Sequence, residues 1–216
     1  MTLASKKILI TAGPTREPID PVRYISNFST GKMGIALADE CVARGAEVIL
    51  VKGPTQLRSG HDSIREINVQ TAAEMYAACS QYFAECDVII FAAAVADYTP
   101  KSPAATKIKK KEDEFTLELV KTKDIAYELG KQKKPEQISV GFALETDNEM
   151  ENALGKLNKK NLDMIVLNSL KDEGAGFQHD TNKITIVDKS GNVVKFELKP
   201  KAAVASDIVD YIQKLS

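Results

Sequence analysis

The sequence has few of the side chains that usually serve as nucleophiles or as ligands of transition metals. Its 216 residues include two histidines, His61 and His179, and three cysteines, Cys41, Cys79 and Cys86. No two cysteines form a CxxC pair, and an odd number spread over helix-like segments is typical of buried, reduced thiols in a cytoplasmic protein. The composition therefore argues against a histidine-based metal site and against a Ser/His triad.

The sequence also lacks a surplus of charge and a long apolar segment. Its formal net charge is -1, whereas general nucleic-acid binders usually carry a basic surplus. The longest apolar run, Val88–Ala96, has an aspartate on each side and is far too short to cross a membrane. The N-terminal residues lead directly into a strand pattern, without the apolar stretch of a signal peptide. We therefore expect a cytoplasmic protein that binds neither nucleic acid nor membranes.

Strand and helix patterns alternate in the first half of the chain. Apolar runs predict strands over Lys6–Ala12, Glu47–Val51, Ile64–Val69 and Asp87–Ala96. Helices are predicted over Gly31–Arg44, stopping at Gly45, and from the Thr71–Glu74 capping box to Cys86. This order predicts an α/β fold with a Rossmann-like open, mainly parallel sheet and helices on both faces. Because such sheets bind ligands beyond the carboxyl ends of their strands, loops 13–30 and 92–111 should face one crevice.

In the second half of the chain, predicted strands and helices no longer alternate regularly. Strands are predicted over Glu114–Val120, Gln137–Ala143 and Asp163–Asn168, and helices over Asp124–Gly130, Glu149–Asn161 and Pro200–Leu215. A hairpin is predicted over Lys183–Asp188 and Val193–Leu198. Because these extended segments lack connecting helices, we expect a small β appendage on the main sheet. Residues 1–216 are predicted to form a single domain.

The segment from Asn27 to Gly34 is a candidate anion site, because it lies where the first helix is predicted to begin. A helix N-terminus offers unpaired backbone N–H groups and a favourable dipole, and the phosphate-binding candidates here are Ser29, Thr30, Gly31 and Lys32. It is not a Walker A loop, since Ser26 and Met33 replace a required glycine and hydroxyl. The alternative is an ordinary Ser-capped helix.

Two further segments could contact a ligand. Small residues at Ala92–Ala96 would let a ligand lie against the backbone, and Asp97 could hold a sugar hydroxyl or a hydrated cation, although tight helix–sheet packing would also explain them. The run Lys107–Lys111 fits either a solvated face or a cationic flap over phosphates. Lys156 and Lys160 lie four residues apart on one predicted helix face and could add charge.

Two other function classes stay open at this point. Tyr127–Lys131 matches the YxxxK pattern of short-chain dehydrogenases, Thr11–Gly13 resembles their first turn, and Lys52 would suit a phosphorylated dinucleotide. However, Pro14 follows that turn, and the pattern has only two fixed positions. A non-catalytic nucleotide sensor on the same fold is the second alternative.

Taken together, these segments resemble the phosphopantothenoylcysteine synthetase family over nearly the whole chain. The matching motifs are Ala12–Pro18 (AGPTREP), Asp20–Asn27 (DPVRYISN), Ser29–Gly34 (STGKMG), Ala92–Asp97 (AAAVAD), Lys107–Lys110 (KIKK), Gly141–Thr146 (GFALET) and Lys160–Asp163 (KNLD). Members are often fused behind a flavin-dependent decarboxylase. Since the first strand pattern begins at Lys6, with no such domain before it in this sequence, the resemblance implies a free-standing synthetase without flavin.

The resemblance implies a two-step ligation in coenzyme A synthesis. The carboxylate of phosphopantothenate attacks the α-phosphate of CTP, and cysteine's amine then attacks the acyl-cytidylate and releases CMP. Mg²⁺ is expected on the triphosphate, with protein ligands unknown. The resemblance to bacterial members implies that the nucleotide is CTP, whereas related eukaryotic enzymes use ATP. The family also implies a homodimer, for which segment 114–120 is our predicted interface.

The resemblance also implies roles for individual residues. Lys107 should help form the acyl-nucleotide, while Asn27 and Arg23 act with substrate-binding Ala94 on the acyl intermediate. The implied nucleotide-binding residues are Phe91, Ala92, Ala93, Asp97, Lys107, Lys123, Asp124, Ile125, Ala126, Phe142, Lys156 and Lys160. Thr30 replaces a common serine and keeps its hydroxyl. Lys123 replaces a proline found in some members, which puts only its side-chain role in question.

Overall fold

The computed structural model describes residues 2–109, 114–145, 147–169 and 179–215. Lys110, Lys111 and Thr146, which belong to segments named above, lie outside these ranges. The strands are β1 Lys7–Ala12, β2 Arg16–Pro18, β3 Tyr24–Ser26, β4 Glu47–Lys52, β5 Arg65–Asn68, β6 Val88–Phe91, β7 Tyr98–Pro100, β8 Leu119–Lys121, β9 Ile138–Glu145, β10 Met164–Ser169, β11 Thr181–Asn182, β12 Ile184–Asp188, β13 Val193–Lys195 and β14 Lys199–Pro200. The α-helices are α1 Lys32–Ala43, α2 Ala72–Tyr82, α3 Ile125–Gly130, α4 Glu149–Lys159 and α5 Lys201–Lys214.

An eight-stranded central sheet organises the described part of the chain, in the order β13-β12-β10-β9-β6-β1-β4-β5. The strands from β10 to β5 are parallel to their neighbours, and β12 and β13 extend one edge antiparallel. This confirms the predicted Rossmann-like, mainly parallel sheet. The predicted hairpin over 183–198 belongs to the central sheet, and the smaller β structure consists of the pairs β2–β3, β7–β8 and β11–β14.

Side chains that alternate along the strands supply two apolar layers. Ile8 and Ile10 of β1 pack in the layer that contains residues of α1 and α5, whereas Leu9 packs in the layer that contains residues of α2, α3 and α4. All three are fully buried. This follows from the two-residue period of a strand, which sends successive side chains to opposite faces. Helices therefore cover both faces, as predicted. None of the described helices combines the length and apolar character needed to cross a bilayer.

Three segments predicted from the sequence differ in extent or structure from those observed. The strand predicted over Asp87–Ala96 ends at Phe91, because the chain leaves the sheet there and only Ala94 makes an isolated bridge, to Pro14. The predicted loop 13–30 contains the β2–β3 hairpin. The strand predicted over 114–120 is the three-residue β8, which pairs with β7. Phe115 and Leu119 of the alternating pattern are 59% and 42% exposed, so the alternation does not mark a buried face.

A glycine sets the close approach of α1 to β1. A Cβ built on Gly34 would lie 2.5 Å from the Cβ of Ala12 and 3.0 Å from its Cα. Only hydrogen at this position lets the helix approach so closely. The contact matters for the site because the residues that precede α1 lie beside the end of β1.

We expect Gly34→Ala to lower the free energy of unfolding by about 1–3 kcal/mol, because overpacking forces neighbouring atoms apart. Urea unfolding followed by circular dichroism measures this. Gly155→Ala in α4 is the matched control, since its added Cβ meets no atom within 4 Å. It should raise stability by roughly 0.5–1 kcal/mol through helix propensity. An unchanged or stabilised Gly34→Ala variant would contradict the tight contact.

Candidate functional site

A cavity of about 670 Å³ lies at the carboxyl ends of the parallel strands. Its wall includes the ends of β1, β6, β9 and β10 and the first turns of α1 and α3. The residues predicted from sequence that line it are Asn27, Ser29, Thr30, Gly31, Lys32, Phe91, Ala92, Ala93, Ala94, Asp97, Lys123, Asp124, Ile125, Ala126, Phe142, Lys156 and Lys160. The structure thus brings together segments that are separated by more than a hundred residues in sequence. Arg23 and Lys107 lie outside this wall.

Three threonines fix the loop that follows β6. The hydroxyl oxygens of Thr11 and Thr15 accept hydrogen bonds from the amides of Ala93, at 3.1 Å, and Ala96, at 3.0 Å. The hydroxyl of Thr122 donates to the carbonyl of Ala96 at 2.6 Å. Because these bonds satisfy backbone groups outside the sheet ladder, the loop leaves the strand in a defined shape. Small side chains on this loop leave its backbone accessible from the cavity.

Asn27 joins the β3–α1 loop to the same segment. Its side-chain amide nitrogen donates to the carbonyl oxygens of Ala94, at 3.1 Å, and Val95, at 3.0 Å. A primary amide has two N–H donors, so both are engaged and only the side-chain oxygen is left to accept a bond from a ligand. Asn27 thus lies beside this loop, as predicted, and both of its N–H donors bind the protein.

The first turn of α1 is shaped by glycine. Gly31 is the N-cap residue with φ of 82°, so no side chain caps the helix. The hydroxyl oxygen of Ser29, two residues earlier, accepts a hydrogen bond from the amide of Gly31 at 3.3 Å. The alternative of an ordinary Ser-capped helix is therefore wrong. A Cβ on Gly31 would come within 3.2 Å of the backbone of Gly13, so a side chain is excluded by both conformation and space. The helix end thus presents backbone N–H groups and its positive dipole end at the cavity.

The cations of the cavity are held by neighbouring side chains. Lys156 Nζ lies 2.5 Å from a carboxylate oxygen of Glu145, and Lys160 Nζ lies 3.0 Å from one of Asp124. Lys123 Nζ lies 4.4 Å from the centre of the Tyr76 ring. These partners orient the ammonium groups before a ligand arrives. An incoming polyanion would compete with the carboxylates for Lys156 and Lys160.

Residues 3–215 match the family described as the DNA/pantothenate metabolism flavoprotein C-terminal domain. The chain belongs to this family. The coenzyme A biosynthesis bifunctional protein CoaBC of Bacillus subtilis is 48% identical over 214 residues, which are 99% of this chain and 52% of that protein. A protein of an unknown prokaryotic organism, named cysteine/cysteine sulfinic acid decarboxylase, is 59% identical over 213 residues, which are 99% of this chain and 59% of that protein.

A solved structure has the same fold over the full length of this family domain. The crystal structure of the C-terminal domain of the coenzyme A biosynthesis bifunctional protein CoaBC is 44% identical, with a TM-score of 0.84. The match covers 99% of this chain and 98% of that one. By contrast, the chain spans between half and three fifths of the two curated relatives described above.

Sequence reasoning missed several polar residues on the wall of this family domain. They include Lys121, Lys159, Asn168, Asn182 and Lys201. Burial lowers the pKa of Lys201, and the Lys32 ammonium acts in the same direction, whereas the Asp180 carboxylate opposes them. The side-chain oxygen of Asn168 is buried and accepts no hydrogen bond from the described residues. Polarity at the end of an otherwise apolar strand, β10, was the signal that could have identified Asn168.

The dehydrogenase pattern lies away from the cavity. Tyr127 and Lys131 contact each other, with Nζ 4.1 Å from the ring centre, and both lie outside the cavity wall. Lys52, suggested above for a dinucleotide phosphate, is buried and forms a 2.6 Å ion pair with Glu66. The arrangement of the described residues therefore gives the reductase interpretation no site in this cavity.

The described residues contain no cluster of three or more histidine, cysteine, aspartate or glutamate side chains that could hold a metal ion. Asp97 and Asp124 are the carboxylates on the described cavity wall. Asp124 is already engaged, because it pairs with Lys160 and accepts a bond from the amide of Tyr127 at 3.1 Å. Asp97 is exposed and lines the cavity, so it is the better placed of the two for a hydrated cation.

Proposed function

We propose that this chain joins phosphopantothenate to cysteine through an acyl-cytidylate, using CTP and releasing pyrophosphate and CMP. The observation that carries the proposal is that one cavity contains a helix N-terminus, a backbone loop held by threonine hydrogen bonds, and two ion-paired lysines, Lys156 and Lys160. A ligase of this type needs no protein nucleophile. It needs two ligands held in reacting positions and a neutralised triphosphate, which is what such groups supply.

In the first half-reaction, an oxygen of the substrate carboxylate forms a bond to the α-phosphorus of CTP. The bond from that phosphorus to the bridging oxygen breaks, and pyrophosphate leaves with the electron pair. Negative charge accumulates on the phosphoryl oxygens, so Lys156, Lys160 and the N-terminus of α1 would stabilise it. Lys107 would approach the same phosphate from outside the wall.

In the second half-reaction, the neutral amine of cysteine attacks the acyl carbon. The acyl C–O bond then breaks, CMP leaves, and the amine loses a proton to form the amide. The side-chain oxygen of Asn27 can accept a hydrogen bond from the attacking amine, while its amide nitrogen keeps the Ala94–Val95 backbone in place. Asn27 would thus orient the nucleophile against the acyl group.

Magnesium fits this site as a companion of the nucleotide. Mg²⁺ usually keeps several waters and binds through substrate phosphates with one or two carboxylates, and Asp97 supplies one at the cavity. The ion would neutralise triphosphate charge. Among the protein residues, we assign neutralisation of the triphosphate to the lysines.

The relatives support this proposal. The B. subtilis relative is named a bifunctional protein of coenzyme A biosynthesis, and this chain aligns with 52% of it. The family description contains the word flavoprotein, but the matching part is the C-terminal domain. We propose that residues 1–216 act as one cytoplasmic ligase domain without flavin and as a homodimer. Exposed Tyr98, Leu119 and Val120 on the β7–β8 pair support a contact surface there.

The test is pyrophosphate release by the purified chain. We expect release to require Mg²⁺, phosphopantothenate and a nucleotide together, with kcat/KM for CTP at least about tenfold above that for ATP, or roughly 1.4 kcal/mol of discrimination. Product formation should additionally require cysteine. Mass spectrometry of the quenched mixture identifies the amide.

Other outcomes would contradict the proposal. Equal or better kcat/KM with ATP would remove the nucleotide preference but leave the ligation. Oxidation of NADPH would favour a reductase, and tight CTP binding without turnover a nucleotide sensor. Release of CO₂ from cysteine or cysteine sulfinic acid without nucleotide would favour the activity after which the 59% identical relative is named.

A further inference from the structure

The carboxylate of Asp20 accepts five hydrogen bonds. Asp20 lies in the turn between β2 and β3, and its side chain is fully buried. Its two oxygens receive five N–H groups: the amides of Val22, Arg23 and Ile108, at 2.8, 2.9 and 3.1 Å, and two guanidinium nitrogens of Arg23, at 3.1 and 2.5 Å. The hydrogen bonds from Arg23, together with those from the backbone, hold the pKa of Asp20 below its usual range against the opposing effect of burial. The group is therefore ionised at neutral pH.

The two carboxylate oxygens have different partners. Oδ1 accepts from the amides of Val22 and Arg23, which shapes the turn. Oδ2 accepts from Arg23 and from the amide of Ile108, 88 residues away in sequence. The guanidinium of Arg23 in turn donates to the carbonyl of Ile108 at 3.0 Å. Both backbone polar groups of Ile108 are therefore held by one ion pair.

Ile108 stands next to Lys107 in the run that carries the proposed first-step cation. Lys107 is exposed and lies outside the cavity wall. The backbone of its neighbour Ile108 is held by Asp20 and Arg23. The amide of Ala104 adds a bond to the carbonyl of Ile19 at 2.9 Å, which anchors the same segment a second time.

We propose that Asp20 is a positioning residue that, with Arg23, fixes the backbone of Ile108 and so holds Lys107 in place for the first half-reaction. We call the hydrogen bonds that join Asp20 and Arg23 to the backbone of Ile108 the grip. The existence of the grip can be tested without an activity assay, whereas its effect on catalysis rests on the proposed function. Misplacing a reacting group by about 1 Å can cost on the order of a hundredfold in rate, so a partly released segment should be costly.

Asp20→Asn should remove the contacts to Ile108 and the Arg23 side chain while keeping the hydrogen bonds that shape the turn. The amide oxygen can take the place of Oδ1 and keep the turn, but the amide nitrogen then faces the N–H donors of Ile108 and Arg23. Arg23→Lys is the second variant, because one ammonium cannot reproduce the planar fork that reaches both Asp20 and Ile108. Asp188→Asn is the matched control: Asp188 is 5% exposed and accepts from the amides of Ser190 and Asn192 in the β12–β13 turn.

Native-state trypsin digestion without ligands tests the grip, with cleavage of the Lys107–Ile108 bond followed by mass spectrometry. A protease must draw this bond into an extended conformation, so local release should speed cleavage about tenfold in Asp20→Asn and Arg23→Lys. Asp188→Asn should cleave there at the wild-type rate. An unchanged rate in both Asp20→Asn and Arg23→Lys, or equal acceleration in the control, would overturn the grip.

Single-turnover pyrophosphate release tests the consequence. At saturating CTP, Asp20→Asn should be slower by about tenfold with KM for CTP unchanged, and it should add no further loss to Lys107→Gln. A loss of the same size in both backgrounds, or a change confined to KM, would show that Asp20 does not act through Lys107. If the wild-type chain releases no pyrophosphate, the ligase proposal fails, and the digestion result still decides whether the grip exists.

Discussion

Replacing Lys107 by glutamine should slow formation of the acyl-cytidylate by on the order of 10²–10³, the usual effect of losing one preorganised stabiliser of transition-state charge. Glutamine keeps much of the length of the side chain and removes the charge. The loss should appear in single-turnover pyrophosphate release, before cysteine is needed. Because Lys107 is exposed, its replacement should leave the fold intact, and circular dichroism of the variant checks this.

Matched variants distinguish a specific cation from general charge. Lys101 is exposed, lies in the same connection between β7 and β8, and forms a 2.6 Å ion pair with Glu118. Lys101→Gln should release pyrophosphate within about twofold of wild type, since exposed ion pairs contribute little. Lys111→Gln, at the end of the lysine run and outside the described residues, should be similarly tolerant. A Lys107→Gln variant that forms acyl-cytidylate at the normal rate, or equal damage in all three, would refute the assignment.

The central sheet was predictable because its signals are local. Apolar runs mark β1, β4 and β9, the Thr71–Glu74 capping box is present as predicted, and Gly45 ends α1 with φ of 85°. The alternation of strands and helices then fixes the parallel pairing. The β2–β3 hairpin was missed because three-residue strands rich in polar side chains have no clear period. Its stability comes from contacts such as Asp20 with Ile108, which join residues 88 positions apart.

The cavity was predictable in its main parts and not in its details. Motif resemblance pointed to the Asn27–Lys32 and Ala92–Asp97 segments, and the carboxyl-end rule for parallel strands placed them together. Asn182 and Lys201 were missed because they reach the wall through β11 and α5, whose position depends on tertiary packing. The partners of Arg23 could not be predicted either, since the pairing of a flexible cation with a backbone carbonyl leaves no pattern in the sequence.

Asn27→Ala should uncouple the two half-reactions. We expect pyrophosphate release in the first turnover to stay within about tenfold of wild type, while conversion of the acyl-cytidylate to product falls by on the order of 10², because an oriented hydrogen-bond partner of the nucleophile is lost. Acyl-cytidylate should then accumulate and be visible by mass spectrometry after a quench. Asn27 carries no charge, so triphosphate neutralisation should be less affected than by loss of a lysine.

The structure adds a control that separates this role from loop support. Asn27 donates to Ala94 and Val95, so truncation also frees two carbonyl groups of the loop. Thr15→Val frees the amide of Ala96 in the same loop from a buried position outside the cavity wall. It should slow both half-reactions alike and accumulate no intermediate. If Asn27→Ala folds and binds CTP but makes neither pyrophosphate nor intermediate, Asn27 belongs to the activation step, and its assignment to cysteine's attack is wrong.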